Sequence, residues 1–295
     1  MFTRDSALAR RGLVGLDGDI HTTRRDLNVA AAERVAQPLP PGRRVGIPWH
    51  GRGRVARRRP KAPPRTVHYK DRSGEWQKRR LADCGDLDPA ELFPVRDPGA
   101  RRGRIAIAGY LYYRSAELHV PFESSLERDV LLCLDFDRSV GALQAQPFEI
   151  RDGDGEPICP DVFAQTVDGP VVIEAKERKR LSSEAVRARL DRTAAACDVA
   201  GWRFEVRTRP ERDFLRNLWF CRGAVPSPEI RAELAGPILR RAREGASVEE
   251  ALPPRAHKSL SRTVLLSLIW DGELRCDLSK PLSNQTKITT TEVTR

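Results

Sequence analysis

The sequence contains no run of the roughly 18 apolar residues that a helix needs to cross a bilayer. The first 20 residues carry six charged side chains around a short apolar patch, which is unlike a secretory signal. Hydrophobic residues make up 40% of the chain and charged residues 32%, which is the composition of a soluble protein. We therefore expect no membrane association and a cytoplasmic location.

Closely spaced cysteine or histidine ligands are also missing. The six cysteines include no CxxC pair, whereas zinc sites and redox motifs need ligands a few residues apart. The five histidines are equally dispersed, which gives no support to a zinc hydrolase or to a Ser-His-Asp enzyme. We expect reduced thiols and no structural zinc, and we expect His119 to lie on the surface.

Acidic residues are absent from one long stretch, since residues 43–65 contain nine basic side chains and no acid. Residues 1–80 hold 20 basic and 7 acidic side chains, whereas the remaining residues hold 32 and 34, so the N-terminal part supplies the net charge of +11. Seven prolines lie between positions 38 and 64. This composition predicts that residues 1–65 form a disordered basic arm.

Two interpretations of this arm stay open. It is either a solvated leader or a segment that follows the phosphates of DNA. For the second interpretation the candidate DNA contacts are Arg57, Arg58, Arg59 and Lys61.

From residue 66 onwards, hydrophobic periodicity predicts an α/β domain over residues 66–222, with a sheet flanked by helices. The predicted strands or hairpins are 67–80, 105–113, 142–150, 158–167, 170–175 and 202–206, and the predicted helices are 122–134, 182–200 and 211–221. Residues 226–295 are expected to be mostly helical, at about 228–244, 247–252 and 260–270. They end in two strand-like pieces at 273–278 and 287–293, which is typical of a winged-helix module.

The hairpin predicted around Asp168 and Gly169 carries the candidate chemistry. Alternate residues of a strand share a face, so Glu174 and Lys176 point the same way, and Asp161 on the partner strand can lie opposite them. Two carboxylates at strand ends form an oxygen site suited to Mg²⁺ or Mn²⁺. Such a cation polarises a phosphoryl oxygen and lowers the pKa of water. The lysine then either orients or deprotonates a water, or stabilises charge on a scissile phosphate.

A second source of carboxylates is the predicted helix at 122–134. Glu123 and Glu127 are four residues apart and would share one helical face, where a cation would relieve their repulsion. The alternative is that Glu127 pairs with Arg128 or Arg180, and that Glu123 lies near the helix start because the helix dipole favours it there.

Five short blocks in this order and spacing resemble the TnsA family, the endonuclease subunits of heteromeric transposases. They are ESSLERD at 123–129, LDFDRSV at 134–140, QPF at 146–148, PDVF at 160–163 and IEAK at 173–176. The resemblance is most specific over residues 120–180 and extends loosely over 66–222. It implies a catalytic domain with the restriction-endonuclease-like fold, that is, a PD-(D/E)xK enzyme.

The resemblance also implies roles for individual residues. Glu127 matches the family's helix carboxylate, Asp161 its metal-binding aspartate and Lys176 its catalytic lysine. Glu174 stands where the family has Glu or Gln, so the implied metal ligands are Glu127, Asp161 and Glu174. Gln146 matches a recurring glutamine and is a candidate accessory residue, as is Glu123. A strand residue that bonds only backbone is the alternative for Gln146.

The function expected from the resemblance is Mg²⁺- or Mn²⁺-dependent cleavage at the 5′ strand ends of a mobile element. The expected partners are DNA, an integrase-type transposase subunit and, as a further candidate, an ATPase regulator. A free-standing restriction or repair nuclease, or a non-catalytic DNA-binding or assembly subunit, are the alternatives. The basic residues that follow the lysine form either a solvated exit loop or a grip on phosphates. They are Arg178, Lys179 and Arg180.

Overall fold

A computed structural model describes residues 66–96, 107–151, 156–254 and 256–291. These ranges form a mixed α/β structure, as expected, with twelve strands and six α-helices. The strands are β1 (Thr66–Lys70), β2 (Trp76–Arg80), β3 (Gly109–Tyr113), β4 (Leu118–Phe122), β5 (Val140–Ala145), β6 (Phe148–Arg151), β7 (Val162–Thr166), β8 (Gly169–Ala175), β9 (Arg203–Arg207), β10 (Ala246–Ser247), β11 (Leu274–Cys276) and β12 (Lys287–Thr290). The helices are α1 (Ser125–Phe136), α2 (Glu184–Ala200), α3 (Arg212–Gly223), α4 (Pro228–Ala242), α5 (Val248–Ala251) and α6 (Lys258–Trp270). Within the described ranges, none of the helices combines the length and the apolar character that crossing a membrane requires.

A four-stranded sheet with the order β5-β7-β8-β9 forms the centre of the fold. The predicted hairpin of β7 and β8 is confirmed, and Gly169 supplies the positive φ of +97° that its turn requires. β8 and β9 run parallel, because α2 carries the chain back between them. β6 pairs instead with β1 in a second sheet, and β3 and β4 form a separate hairpin.

The central sheet is buried on both faces, because successive side chains of β7 and β8 alternate between two hydrophobic cores. Val171 and Ile173 belong to the core beneath α1 and α3. Phe163 and Val172 belong to the core on the opposite face, against α2. There the ring of Phe163 lies 4.9 Å from that of Trp202, centroid to centroid. A charged side chain at the end of β8 adjoins these apolar cores, so its burial is favourable only if it is paired with an opposite charge.

The start of α1 corrects the prediction of a helix from residue 122. Phe122 ends β4, a strand that the sequence analysis missed, and the helix begins at Ser125. Ser124 is the N-cap, and its side-chain oxygen accepts a hydrogen bond from the backbone N–H of Glu127. The apolar residues of 118–122 pair with β3, and this tertiary pairing outweighs the helical spacing.

The predicted single strand at 142–150 is also wrong, because the chain leaves one sheet for another at residues 146 and 147. β5 ends at Ala145 and β6 begins at Phe148. Between them Gln146 has a φ of +49°, in the left-handed region that residues other than glycine seldom adopt. The predicted strand at 158–167 is shorter in the structure, since Ile158 makes only an isolated bridge to Ile150 before β7 begins.

The region after residue 226 contains the three predicted helices and both predicted strands, together with β10, which the prediction lacked. Its three strands pair in the order β10-β12-β11. Its buried side chains continue the core of the preceding residues, with the Trp270 ring 5.5 Å from that of Phe136. Asn217 of α3 donates hydrogen bonds to the carbonyls of Leu278 and Lys280, at 2.9 and 2.7 Å. The two regions are thus packed through one continuous core.

The six cysteines are free thiols, as expected, and five of them are buried. Cys84 and Cys197 lie in the core against α2, whereas Cys133 and Cys221 lie in the core beneath α1. Burial raises the pKa of Cys84 to about 11 and the pKa of Cys221 to about 12.

Candidate active site

The three predicted strand residues come together at the open end of the β7–β8 hairpin, opposite its turn. Val162 pairs with Ile173, so Asp161 and Glu174 stand directly opposite each other. The Nζ atom of Lys176 lies between their carboxylates and donates hydrogen bonds to both. It is 2.9 Å from Asp161 Oδ2 and 2.6 Å from Glu174 Oε2. The expected convergence of Asp161, Glu174 and Lys176 is therefore present.

Backbone hydrogen bonds fix this arrangement. The N–H of Ala175 donates to Asp161 Oδ2 at 2.7 Å, which ties the carboxylate across the hairpin. The N–H of Lys176 donates to the carbonyl of Arg207 at 2.9 Å and extends the parallel pairing by one residue. On the other side, the N–H of Gln146 donates to the carbonyl of Asp161 at 2.9 Å. The site thus lies at the sheet edge where β5, β8 and β9 end and β7 begins.

Glu174 is fully buried, and two positively charged side chains contact its carboxylate. Lys176 binds one carboxylate oxygen, and Arg189 of α2 approaches the other at 3.4 Å. Arg189 also donates to the carbonyl of Cys159 at 3.0 Å, which anchors its guanidinium beside the hairpin. Burial and the nearby charge of Asp161 raise the pKa of Glu174 to about 7, although both cations oppose the shift.

Glu127 approaches the same site from the first turn of α1. Its carboxylate accepts hydrogen bonds from the backbone N–H of Glu123 at 2.7 Å and from the hydroxyl of Ser124 at 2.9 Å. Burial, and then the charge of Asp161, raise the pKa of Glu127 to about 7. The Asp161 charge acts on both Glu127 and Glu174, so Asp161 is the carboxylate that relates the helix to the hairpin electrostatically.

The predicted relation between Glu123 and Glu127 is wrong. Glu123 precedes the N-cap and is not in the helix, so the two side chains do not lie on one helical face. Instead, the backbone N–H of Glu123 donates a hydrogen bond to the Glu127 carboxylate. The alternative pairing also fails: within the described residues Arg128 pairs with Asp129, and no ion pair joins Glu127 to Arg128 or Arg180.

Arg209 connects the helix to the hairpin, and the sequence analysis missed it. It lies just after β9 and forms an ion pair with Asp129 of α1. It also donates to Ser125 Oγ at 3.3 Å and to Glu177 Oε1 at 2.8 Å. Since Glu177 follows Lys176 directly, one guanidinium links the turn that carries Glu127 to the strand end that carries Lys176.

No local pattern indicates Arg209 or Arg189 as part of the site. The ion pair of Arg209 with Asp129 spans 80 residues, and Arg189 contacts Glu174 across 15 residues of a loop and helix. The one available signal is Asp129, a charged residue among the apolar positions of a predicted helix, which requires a partner if it is buried. It is 1% exposed.

The charge balance explains the behaviour of Lys176. Burial lowers its pKa, but the charges and hydrogen bonds of Asp161 and Glu174 outweigh this effect and raise the pKa above its usual value. The Nζ atom is therefore held in the protonated, positively charged form.

The carboxylates have the right chemistry for a divalent cation, but they are arranged around Lys176. Among the described residues, no three His, Cys, Asp or Glu side chains are placed so that they could hold a metal ion. Glu127 and Glu174 nevertheless both have raised pKa values because acidic groups gather in a buried place. Carboxylate oxygens are the ligands that Mg²⁺ and Mn²⁺ prefer, so Glu127, Asp161 and Glu174 are the candidate donors here by their chemistry alone.

Gln146 and the basic residues complete the comparison with the predicted site. Gln146 is 4% exposed and adjoins Asp161 through its backbone. The candidate contacts at 57–61 lie outside the described residues. Those at 178–180 are exposed, in a short 3-10 helix (Arg178–Ser182) that follows the site rather than in the predicted loop. His119 is exposed, as expected, and its ring lies 5.3 Å from that of Tyr112.

Comparison with known proteins adds no identification to this geometry. No protein-family model matches the chain, and no curated protein matches it significantly.

Proposed function

We propose that this protein is a divalent-cation-dependent DNA endonuclease, and that it is the TnsA-like subunit of a heteromeric transposase. The observation that carries the proposal is the pairing of Asp161 and Glu174 across β7 and β8 with Lys176 between them. A third carboxylate, Glu127, faces the same group of charges from α1. Ionisable groups whose pKa values are strongly shifted by burial and by a neighbouring charge are concentrated at functional sites.

In this proposal Glu127, Asp161 and Glu174 hold Mg²⁺ or Mn²⁺. The cation supplies polarisation of the scissile phosphate and activation of water. Without the cation, the charges and hydrogen bonds of Asp161 and Glu174 raise the pKa of Lys176. In the proposed reaction the Lys176 ammonium stabilises negative charge on the scissile phosphate. Arg189 neutralises part of the charge on Glu174 from the side of α2.

The architecture supports the proposal. The order α1, β5, β7, β8, α2, β9 gives a mixed sheet with helices on both faces, in agreement with a restriction-endonuclease-like fold. After residue 226 the order is helix, strand, two helices and two strands, and the first strand pairs with the last. We propose that this region is a winged-helix-like module. The exposed basic residues at 178–180 would contact the DNA backbone beside the site.

The proposed partners are DNA at the ends of a mobile element, an integrase-type transposase subunit and an ATPase regulator. The test is strand-specific mapping of cleavage on DNA that carries the element ends, with Mn²⁺ or Mg²⁺, by the protein alone and with a candidate integrase-type transposase subunit. We expect cuts at the 5′ strand ends that require the cation and the partner. Efficient cleavage by the isolated protein would favour a free-standing nuclease instead.

A second candidate function, that of a non-catalytic DNA-binding or assembly subunit, is favoured by one observation. Lys176 occupies the space between Asp161 and Glu174, and the described residues contain no preformed group of three metal ligands. Calorimetric titration with Mn²⁺ separates the two functions. Binding that disappears in Asp161→Asn supports the nuclease, and the absence of binding by the parent protein supports the assembly subunit.

A further inference from the structure

The backbone of Gln146 is held in an unfavourable conformation beside the site. Its φ of +49° lies in the left-handed region, and the following Pro147 further restricts the residue before it to extended conformations. Two hydrogen bonds hold this conformation: the N–H donates to the carbonyl of Asp161, and the carbonyl accepts from the N–H of Val95, both at 2.9 Å. Such strain persists where the surrounding structure enforces it, and it is concentrated at functional sites.

The side chain of Gln146 has an unusual environment. It is 4% exposed, and its oxygen Oε1 is buried without a hydrogen-bond donor from any residue in the described ranges. Buried amide oxygens nearly always have a partner, because an unpaired acceptor loses its hydration with no compensation. An amide oxygen that is buried and unpaired among the described residues is available to a water or to a cation that binds there.

The backbone position of Gln146 relates this residue to the candidate site. β5 pairs with β7 so that Ala145 is opposite Val162, and the next pair is Gln146 and Asp161. Opposite residues of an antiparallel pair are nearest neighbours on the sheet. Gln146 is therefore at the same sheet edge as the carboxylate of Asp161, which Lys176 joins to Glu174.

We propose that the Gln146 amide oxygen is a further ligand of the divalent cation at this site. The inference rests on the proposed nuclease function. Three carboxylates leave positions open in the octahedral coordination of Mg²⁺, and the amide oxygen of Gln146 fills one of them. The fixed backbone of Gln146 holds that oxygen in place before the cation arrives, which lowers the cost of ordering it.

The test replaces the amide with an apolar side chain of similar length, in the full-length protein. In Gln146→Met we expect the affinity for Mn²⁺, measured by calorimetry, to fall by about 10-fold or more. The melting temperature without metal should be unchanged or higher, because the buried oxygen without a partner is gone. Mn²⁺ affinity equal to that of the parent protein would overturn the proposal, whatever the melting temperature.

A second variant covers the case in which Gln146→Met lowers both affinity and melting temperature. Gln146→Glu keeps an oxygen at this position, so it should restore Mn²⁺ binding relative to the methionine variant. If Gln146→Glu binds as weakly as Gln146→Met, the oxygen is not a ligand and the proposal fails. Gln144→Met, two residues earlier, is the matched control, and its Mn²⁺ affinity should equal that of the parent.

The outcomes separate this inference from the proposed function. A parent protein that binds no Mn²⁺ and does not cleave DNA with its partner contradicts the nuclease itself. A parent protein that binds Mn²⁺, together with a Gln146→Met variant that binds it equally well, contradicts only the role of Gln146.

Discussion

The candidate site has two halves that are built in different ways. In the hairpin half, Asp161, Glu174 and Lys176 are joined by direct hydrogen bonds across two adjacent strands. In the helix half, the hydrogen bonds that Glu127 makes with described residues all go to the turn that begins α1. The hairpin half is thus assembled by local pairing, whereas the helix half is positioned by tertiary contacts. Arg209 is the polar connection between the two.

The largest expected effect comes from removing the centre of the hairpin half. In Lys176→Ala, Asp161 and Glu174 lose the ammonium group between them, and the proposed transition state loses a positive charge. We expect DNA cleavage in the presence of the partner to fall by about 1000-fold, measured as the rate of 5′ strand nicking. The exposed lysine of β2 provides the control, since Lys78→Ala should cleave at the parental rate. A Lys176→Ala variant with the parental rate would remove the hairpin half from the mechanism.

A smaller loss is expected when the connection between the halves is cut. Arg209→Gln leaves every carboxylate in place but frees α1 from Glu177, so cleavage should fall by roughly 10- to 100-fold, as for other residues that orient ligands. Arg216→Gln, an exposed arginine of α3 that pairs with Asp213, should have no such effect.

A double variant tests whether Arg209 acts through the helix carboxylate. If it does, adding Arg209→Gln to Glu127→Gln should reduce Mn²⁺ affinity little further, because the group that Arg209 positions is already lost. Fully additive losses of Mn²⁺ affinity would show that Arg209 also acts on the hairpin half, so that the two halves are not independent.

Without metal, the pH dependence of the free energy of unfolding distinguishes the contribution of Glu127 in the helix half from that of Glu174 in the hairpin half. The pKa of Glu127 is raised from 4.5 to about 7 in the folded state, so the folded protein binds more protons than the unfolded chain between these values. The free energy of unfolding should therefore decrease as pH rises from about 4.5 to about 7. In urea unfolding, Glu127→Gln should flatten part of this decrease, and Glu174 accounts for the remainder. An unchanged slope would mean that burial and the charge of Asp161 do not raise the pKa of Glu127 in the folded protein.

The smallest effect is expected at the helix cap. Ser124→Ala should lower the free energy of unfolding by about 1 kcal/mol, because the N–H of Glu127 loses its acceptor. It should also weaken Mn²⁺ binding, since Ser124 bonds the Glu127 carboxylate. Ser227→Ala, at the cap of α4, should cost a similar amount of stability but leave Mn²⁺ affinity unchanged. Equal affinities in both variants would separate the cap from the site.

The difference between the halves also explains what the sequence could predict. The hairpin half follows from a turn signal and from the two-residue period of strands, so Asp161, Glu174 and Lys176 could be brought together from spacing alone. The position of Glu127 depends on how α1 packs on the sheet. Helical spacing made Glu127 a candidate carboxylate, and only the family resemblance implied its place beside Asp161. Its partner Glu123 was misplaced for the same reason, because the hidden strand β4 shifts the helix start by three residues.

Contacts between distant segments could not be predicted at all. The change of sheet at Gln146 breaks what reads as one continuous strand, since local alternation contains no information about which partner a strand chooses. The same holds for Arg209 and for Asn217, whose contacts are 80 and about 60 residues away in the sequence. The class of fold was accessible from pattern, and these contacts were not.

The buried thiols make the two cores individually observable. A thiol reacts with alkylating reagents as its thiolate, and burial keeps Cys84, Cys197, Cys133 and Cys221 protonated and out of contact with solvent. Each thiol therefore becomes reactive only when its own part of the interior opens. Two of these thiols lie in each core, so their labelling rates report separately on the opening of each side of the sheet. Comparing the two labelling rates, with and without Mn²⁺, would show which layer of the molecule loosens first.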